Sequence, residues 1–210
     1  MEYLFVSDKA VFKVKTPMWG TYALYNTASA ALCALELGIS PAVIRGALGH
    51  FGGARGRMEL VGDVMIDFAH TPAALEGALK TAREVTRGRL ISVFGCGGDR
   101  DCGKRFEMGA VAARLSDLTV ITSDNPRSEE PFDIIREIER GFLSVGGEYT
   151  VICDREAAIR YAVGIAKDGD RVIVCGKGHE DYVIDKNGKR KFDERAIISD
   201  AIKRSNVNNL

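Results

Sequence analysis

From about residue 60 onward, short apolar, β-branched runs alternate with longer segments that gather their apolar residues on one helical face. That alternation predicts an α/β domain: a Rossmann-like, mainly parallel sheet flanked by helices. The strand-like runs are Asp63–Asp67, Arg89–Phe94, Leu118–Thr122, Tyr149–Cys153 and Arg171–Cys175. Between them, Thr71 and Pro72 supply an N-cap and a first-turn proline for a helix over 73–85. Further helices are expected over 106–115, over 132–142 with Ile134, Ile135, Ile138 and Phe142 on one face, and over a segment with Ala157, Ala158, Tyr161 and Ile165 turned inward. A helix over 193–204 closes the domain, Lys186-Asn-Gly-Lys189 reads as a hairpin turn, and residues 205–210 read as a frayed tail.

The first 57 residues follow another pattern. Lys9–Thr16 alternates as an edge strand, Ala28–Leu37 is an alanine-rich helix, and Ser40-Pro41 opens a second helix running through Leu48. Gly49–Arg57 then holds four glycines in nine residues and reads as a linker. This stretch is short for an independent core. The expected organisation is a piece of something larger over 1–57 and a full α/β domain over 58–210.

Composition narrows the function classes. The chain has 210 residues, 46% hydrophobic and 28% charged, with 29 Lys+Arg against 29 Asp+Glu. A balanced charge argues against a nucleic-acid or acidic-membrane surface, where a basic excess is needed. No apolar run approaches membrane length, and Met1-Glu-Tyr-Leu-Phe-Val-Ser leads into Asp8 and Lys9, unlike a signal peptide. A soluble, cytoplasmic protein is expected. The five cysteines are scattered without a C-x-x-C pair, so reduced thiols are expected. Cys96 and Cys102 flank a glycine-rich stretch, but three scattered histidines offer no partner pattern for zinc.

Three polar clusters fall at the carboxyl ends of expected strands: Gly95–Arg105, Asp124–Arg127 and Gly176–Glu180. In open α/β sheets that edge is where ligands bind. In Asp124-Asn125-Pro126-Arg127 the proline pushes Asn125 out of helical space. Arg127 can grip a carboxylate with two parallel hydrogen bonds, and Asp124 or Asn125 can answer an ammonium. The set suits a small zwitterion, although an ordinary Asx-Pro turn with a surface arginine would carry the same residues. Gly95-Cys-Gly-Gly-Asp-Arg-Asp101 is not a dinucleotide fingerprint, because Arg100 takes the third glycine position and two aspartates would repel a pyrophosphate. Its glycines can instead expose Arg100 toward the crevice with Asp99 or Asp101 orienting it, unless the stretch is simply a mobile loop. Gly176-Lys-Gly-His-Glu180 could cradle a phosphate, but it lacks the order of a P-loop, which occurs nowhere in the chain. Glu180 then reads as a partner for a ligand ammonium and His179 as a structural histidine. Asp67 and His70 could reach a nucleotide, Asp67 at ribose hydroxyls or a metal-bound phosphate and His70 at a base or phosphate, or both could merely bond the helix cap.

Taken in order, Gly56-Arg57-Met58-Glu59, Asp67–Pro72, Phe94–Asp101, Asp124–Arg127 with Glu130-Pro131, and Gly176–Tyr182 resemble the motifs in the C-terminal part of Mur ligases of the UDP-N-acetylmuramoyl-tripeptide synthetase family. The resemblance covers essentially residues 20 to 200. It implies a Mur ligase C-terminal, amino-acid-binding domain over 58–210, preceded over 1–57 by a remnant of the central ATPase domain. It implies ATP-dependent amide ligation in peptidoglycan precursor synthesis, with ATP and Mg2+ as cofactors. ATP phosphorylates the D-glutamate carboxylate of UDP-MurNAc-L-Ala-D-Glu, and the amine of the incoming diamino acid attacks the acyl phosphate.

The resemblance also implies site residues. The amino-acid pocket falls on Arg100, Asp124, Asn125, Pro126, Arg127, Gly176 and Glu180. Members that add meso-diaminopimelate carry an arginine in the bend, whereas lysine-adding members typically lack it. Arg127 is thus expected at the distal carboxylate, supported by Arg100, with Glu180 at the distal ammonium. Asn26, Arg57, Asp67 and His70 are expected toward the nucleotide, although Ser29 departs from the family's Asn-x-x-Asn stretch. No catalytic residue or metal ligand is expected in this chain. With the P-loop and the UDP-sugar domain missing from it, the chain is expected not to turn over alone. The alternatives are a non-catalytic amino-acid-binding module, or another amide ligase with this C-terminal domain such as a folylpolyglutamate or cyanophycin synthetase.

Overall fold

The computed structural model describes residues 1–208, with the side chains of residues 1–205. It divides into two compact units, residues 1–54 and 55–210. In the first, β1 (Glu2–Val6) pairs antiparallel with β2 (Val11–Lys15), placing Phe5 opposite Phe12 and Tyr3 opposite Val14. Period-two alternation turns Phe12 and Val14 inward, where Ala31 of α1 (Thr21–Glu36) and Ile44 of α2 (Pro41–His50) complete a small core. β1 escapes a hydrophobic-polar reading because its outward residues, Leu4 and Val6, are themselves apolar and exposed. Helix α1 starts well before the expected Ala28, since its first turns carry the exposed Tyr22 and Tyr25 and show no apolar stripe.

The second unit runs, in chain order, β3 (Glu59–Val61), β4 (Val64–Asp67), α3 (Pro72–Glu84), β5 (Leu90–Phe94), α4 (Gly103–Leu115), β6 (Leu118–Ile121), α5 (Pro131–Leu143), β7 (Tyr149–Val151), α6 (Arg155–Ile165), β8 (Arg171–Cys175), β9 (Tyr182–Asp185), β10 (Gly188–Lys191) and α7 (Glu194–Asn208). Six strands form one sheet in the order β3-β4-β8-β5-β6-β7, parallel except for β3, and β9 and β10 form a separate antiparallel hairpin. This is the mainly parallel, helix-flanked sheet that the alternation of segments predicts. β5 and β6 are buried along their whole length, which is why they read as near-continuous apolar runs, interrupted only by Ser92 and Thr119, whose hydroxyls bond each other. Because β8 returns to lie between β4 and β5, the chain reverses direction of travel across the sheet there, and the carboxyl edge at such a switch point is where open α/β sheets bind ligands.

The helices mostly keep their expected faces. Ile134, Ile135, Ile138 and Phe142 of α5 are all buried. In α6 the face is rotated: Ala158, Ile159, Ala162 and Val163 are buried, whereas Ala157 and Tyr161 are exposed. With small apolar residues at both 157 and 158, spacing alone fits either phase. The expected frayed tail is helical through Asn208, and residues 209–210 lie outside the described residues. Among the described residues, no helix is long and apolar enough to cross a membrane.

Helices α4 and α5 approach closely at two glycines, where a Cβ on Gly109 would collide with the Ile138 carbonyl oxygen and one on Gly141 with that of Phe106. Alanine at a helical glycine ordinarily gains about 1 kcal/mol of helix propensity. Here backbone must move instead, at a cost of about 1–3 kcal/mol. Gly141→Ala is therefore expected to lower the unfolding free energy in a urea titration, whereas the same change at Gly164, where a Cβ meets open space, is expected to raise it.

Candidate functional site

Three loops leave the carboxyl ends of β5, β6 and β8 and are joined by close backbone approaches. A Cβ at Gly95 would strike the Thr122 carbonyl and one at Gly98 the Pro126 carbonyl, so residues larger than glycine would push the β5 loop off the bend after β6. Gly98 N donates to Asn125 O at 2.9 Å, and Arg127 Nη1 donates to Gly98 O at 2.8 Å. Two non-glycine residues take left-handed backbone in this seam, Asp99 (φ 52°) and Arg127 (φ 54°). Such a conformation needs support from its surroundings. Asp99 receives the Ser128 hydroxyl at 2.6 Å and the Ser128 N–H at 3.2 Å, while Arg127 N donates to Ile184 O at 3.1 Å.

Behind the seam lies Arg105, wholly buried. Its guanidinium donates to both oxygens of Glu129, at 2.8 and 2.9 Å, to Glu137 at 3.2 Å and to the Gly97 carbonyl at 3.2 Å. Glu129 and Glu137 hold the Arg105 pKa above its ordinary value against the opposing effect of burial, with Glu129 the stronger partner. Glu129 also accepts from Asp99 N at 2.5 Å, so one carboxylate ties α4, the glycine loop and the bend together. From Gly98 to Lys104 the loop reads Gly-x-x-x-x-Gly-Lys, but Arg105 stands where a P-loop carries Ser or Thr.

A second charged group underlies the bend. Gly176, at φ 117°, turns the chain after β8 so that Lys177 points inward, and it leaves no room for a Cβ beside Asp124. Lys177 is fully buried, and its Nζ lies 2.8 Å from Asn125 Oδ1, 2.9 Å from Tyr182 O and 3.1 Å from Asp124 Oδ1. Burial lowers its pKa while Asp124 pulls it back up. Asn125 Nδ2 donates to Glu180 Oε2 at 3.0 Å. Beneath, the buried Arg155 donates to Glu194 at 2.5 Å and to the Cys175 carbonyl at 2.8 Å. Burial disfavours the Arg155 charge, yet Glu194 and Asp124 outweigh it and hold its pKa above the ordinary value.

The structure thus brings Asp124, Asn125, Pro126, Arg127, Gly176 and Glu180 into one cluster. Arg100 is exposed on the adjoining loop, and its guanidinium makes no hydrogen bond or ion pair among the described residues. Asp99 and Asp101 do not orient it through hydrogen bonds: Asp99 binds Ser128, and Asp101 accepts from Gly103 N. Lys177, Arg155, Arg105 and Glu129 escaped the sequence reading. A glycine on each side of Lys177 is the one local signal that its chain path is unusual.

At the β4 end, Asp67 accepts from Met58 N at 2.9 Å and from Ala69 N at 2.8 Å, and neither it nor His70 caps α3. That cap is Thr71, whose side chain accepts from Ala74 N. Burial raises the Asp67 pKa against the pull of these two donors. The Arg57 guanidinium lies 4.8 Å from the Phe68 ring centre, and the His70 and His179 rings lie 4.6 and 5.1 Å from it. Arg57, His70 and His179 are exposed, leaving a cationic and aromatic surface beside Asp67. Asn26 is exposed on α1 in the first unit. Cys96 is buried against Met108 and its pKa is pushed up to about 12 by burial, so it is an inert core thiol.

This mainly parallel sheet with its polar cluster at the carboxyl edge is a doubly wound, ligand-binding type of α/β domain, and the sequence profile described as "Mur ligase, glutamate ligase domain" matches residues 56–178. The chain belongs to the Mur ligase family. It is 46% identical over 190 residues to the UDP-N-acetylmuramoyl-L-alanyl-D-glutamate--2,6-diaminopimelate ligase of Syntrophomonas wolfei, covering 88% of this chain and 39% of that protein. It is 46% identical over 208 residues to the ligase of the same name from Clostridium botulinum, covering 95% and 42%. A solved structure of such a 2,6-diaminopimelate ligase superposes with a TM-score of 0.72 at 34% identity, covering 98% of this chain and 43% of that one. The chain spans about 40% of the length of the curated relatives it matches.

The two carboxylates on Arg105 make a ranked test. Glu129→Ala removes three charge-assisted bonds, two from Arg105 and one from Asp99 N, and is expected to cost about 1.5–3 kcal/mol. Glu137→Ala, which removes one longer bond, is expected to cost less than half as much. Urea unfolding of both variants checks the order, and equal losses would contradict it.

Proposed function

We propose that this chain is the amino-acid-binding portion of a cytoplasmic Mur ligase that joins meso-diaminopimelate to UDP-MurNAc-L-Ala-D-Glu in peptidoglycan precursor synthesis. The observation that carries the reading is the cluster around Asn125, which holds the Arg127 guanidinium on one side and the Glu180 carboxylate on the other. A zwitterion with a second carboxylate and a second ammonium has a partner for each. The names of the three relatives given above, each a 2,6-diaminopimelate ligase, support the same substrate.

In this reading Arg127 takes the distal carboxylate, Arg100 swings its unpaired guanidinium in to support it, and Glu180 takes the distal ammonium. Asp124 shapes the wall through Lys177 and Gly176. Nothing in the pocket offers the third charged partner that would make lysine its equal, because lysine leaves Arg127 unanswered. Residues 1–57 belong, in the same reading, to the central ATPase domain, and domains for the UDP-sugar and for the phosphates lie elsewhere in the protein.

For ATP, the surface formed by Arg57, Phe68 and His70 fits a nucleotide: an exposed cation and an exposed imidazole flank an aromatic ring. A role for Asn26 of the first unit toward the nucleotide is proposed separately, on the resemblance alone. Asp67 has both oxygens committed to backbone N–H groups, so its contribution is to hold the Arg57–Met58 turn in place and to present a carboxylate edge. ATP, when bound, supplies the phosphoryl group that activates the acceptor carboxylate. Among the described residues no group of three or more His, Cys, Asp or Glu could hold a metal ion, and no role toward Mg2+ is given to them.

Calorimetry of the chain with meso-diaminopimelate, L-lysine and D-glutamate tests the assignment. One charged hydrogen bond is worth roughly 1.5–3 kcal/mol, so meso-diaminopimelate is expected to bind about tenfold to a hundredfold more tightly than lysine. Arg127→Ala is expected to erase that margin. Equal binding of the two amino acids, or a margin untouched by Arg127→Ala, would overturn the reading.

A further inference from the structure

We propose that Lys177 is a positioning residue of the amino-acid pocket: it fixes which end of the Asn125 carboxamide faces Glu180, and so holds the Glu180 carboxylate ready for a cationic ligand group. The part concerning the ligand rests on the proposed function above.

An asparagine side chain is nearly symmetric in shape, and only its partners decide which end is oxygen. Asn125 Oδ1 faces two groups that can only donate, the Lys177 ammonium at 2.8 Å and the Ile184 N–H at 2.9 Å. The NH2 end is thereby directed at Glu180 Oε2, 3.0 Å away. A flipped amide would set two donors against donors and an oxygen against a carboxylate. Lys177 cannot turn aside, since an ammonium has three protons and its three acceptors are Asp124, Asn125 and the Tyr182 carbonyl. Its Nζ lies 3.8 Å from Glu180, beyond hydrogen-bond reach, so it acts on that carboxylate through Asn125 and through charge.

Charge carries the inference further. Lys177 and Arg155 stand among three carboxylates, Asp124, Glu180 and Glu194, so these five side chains, counted apart from the Arg127 guanidinium on the other side of Asn125, carry one net negative charge. That excess falls on Glu180, whose side chain is 21% exposed while the Asp124 and Glu194 side chains are below 10%. One ligand ammonium would neutralise these five. Without Lys177 their excess doubles, and Asp124 and Glu180 lose the one cation that lies against both. The position of Lys177 between two glycines resembles a phosphate-loop lysine, but its complete burial leaves it no free proton for a phosphate.

The test reads the Asn125 side-chain amide in 1H–15N spectra of the chain. In the unsubstituted protein its protons are expected to exchange with water at least about tenfold more slowly than those of the exposed Asn187 amide, as its burial and its bond to Glu180 imply. In Lys177→Met that protection is expected to vanish while the backbone amides of β5 keep theirs, and meso-diaminopimelate affinity is expected to fall about tenfold. Retained protection in folded Lys177→Met would overturn the inference. Should that variant not fold, Asn125→Asp decides: it keeps the acceptor for Lys177 and Ile184 N but faces Glu180 with a carboxylate. The expected result is a folded chain with affinity lowered about tenfold or more, and unchanged affinity would overturn the inference. If the unsubstituted chain binds no diamino acid at all, the proposed function fails, and the Asn125 exchange rates still decide whether Lys177 positions the amide.

Discussion

The site depends on a buried ammonium. Lys177 is brought inward by the left-handed Gly176, and once there it must be satisfied, because an unpaired charge in the interior costs several kcal/mol. Asp124 and Asn125 of the β6 bend and the Tyr182 carbonyl at the start of β9 satisfy it. Meeting that requirement therefore fixes the β6 bend, the β8 loop and the β9 hairpin relative to one another. The Arg105–Glu129 pair does the same for the β5 loop. Between these two buried cations the exposed Arg100 and the half-buried Arg127 and Glu180 are presented on a wall that the fold cannot easily deform.

The wall explains why two non-glycine residues accept left-handed backbone there. Asp99 and Arg127 sit at the crossing of the β5 and β6 loops, where each reaches across to the other strand's segment. Their strain is carried by those cross-links. Precise spacing between a guanidinium and a carboxylate several ångströms away is what recognition of a diamino acid requires, and rigid support is how such spacing is maintained.

Much of the fold was legible in the sequence because its signals are local. Parallel strands buried on both faces appear as near-continuous apolar runs, and Thr71-Pro72 marks the start of α3 without outside help. The bend was legible too, since Asn125-Pro126 restricts its own backbone. What stayed hidden depends on distant partners. Lys177 and Arg105 look like surface cations until the sheet order brings Asp124 and Glu129 to them, and no spacing rule encodes that meeting. The α6 face was misread by one residue because Ala157 and Ala158 are interchangeable by hydropathy, and only packing against β5 and β6 chooses between them. β3 was missed because a three-residue antiparallel edge strand carries too little pattern to stand out.

The central claim is that one wall, made by Arg127 and Glu180 around Asn125, receives both charged ends of a diamino acid. A crystal structure of the chain with meso-diaminopimelate tests it most directly. The account predicts a carboxylate of the ligand on Arg127 and an ammonium on Glu180, with the Asn125 amide unmoved. A ligand bound away from these side chains, or one that places its carboxylate against Glu180, would contradict it.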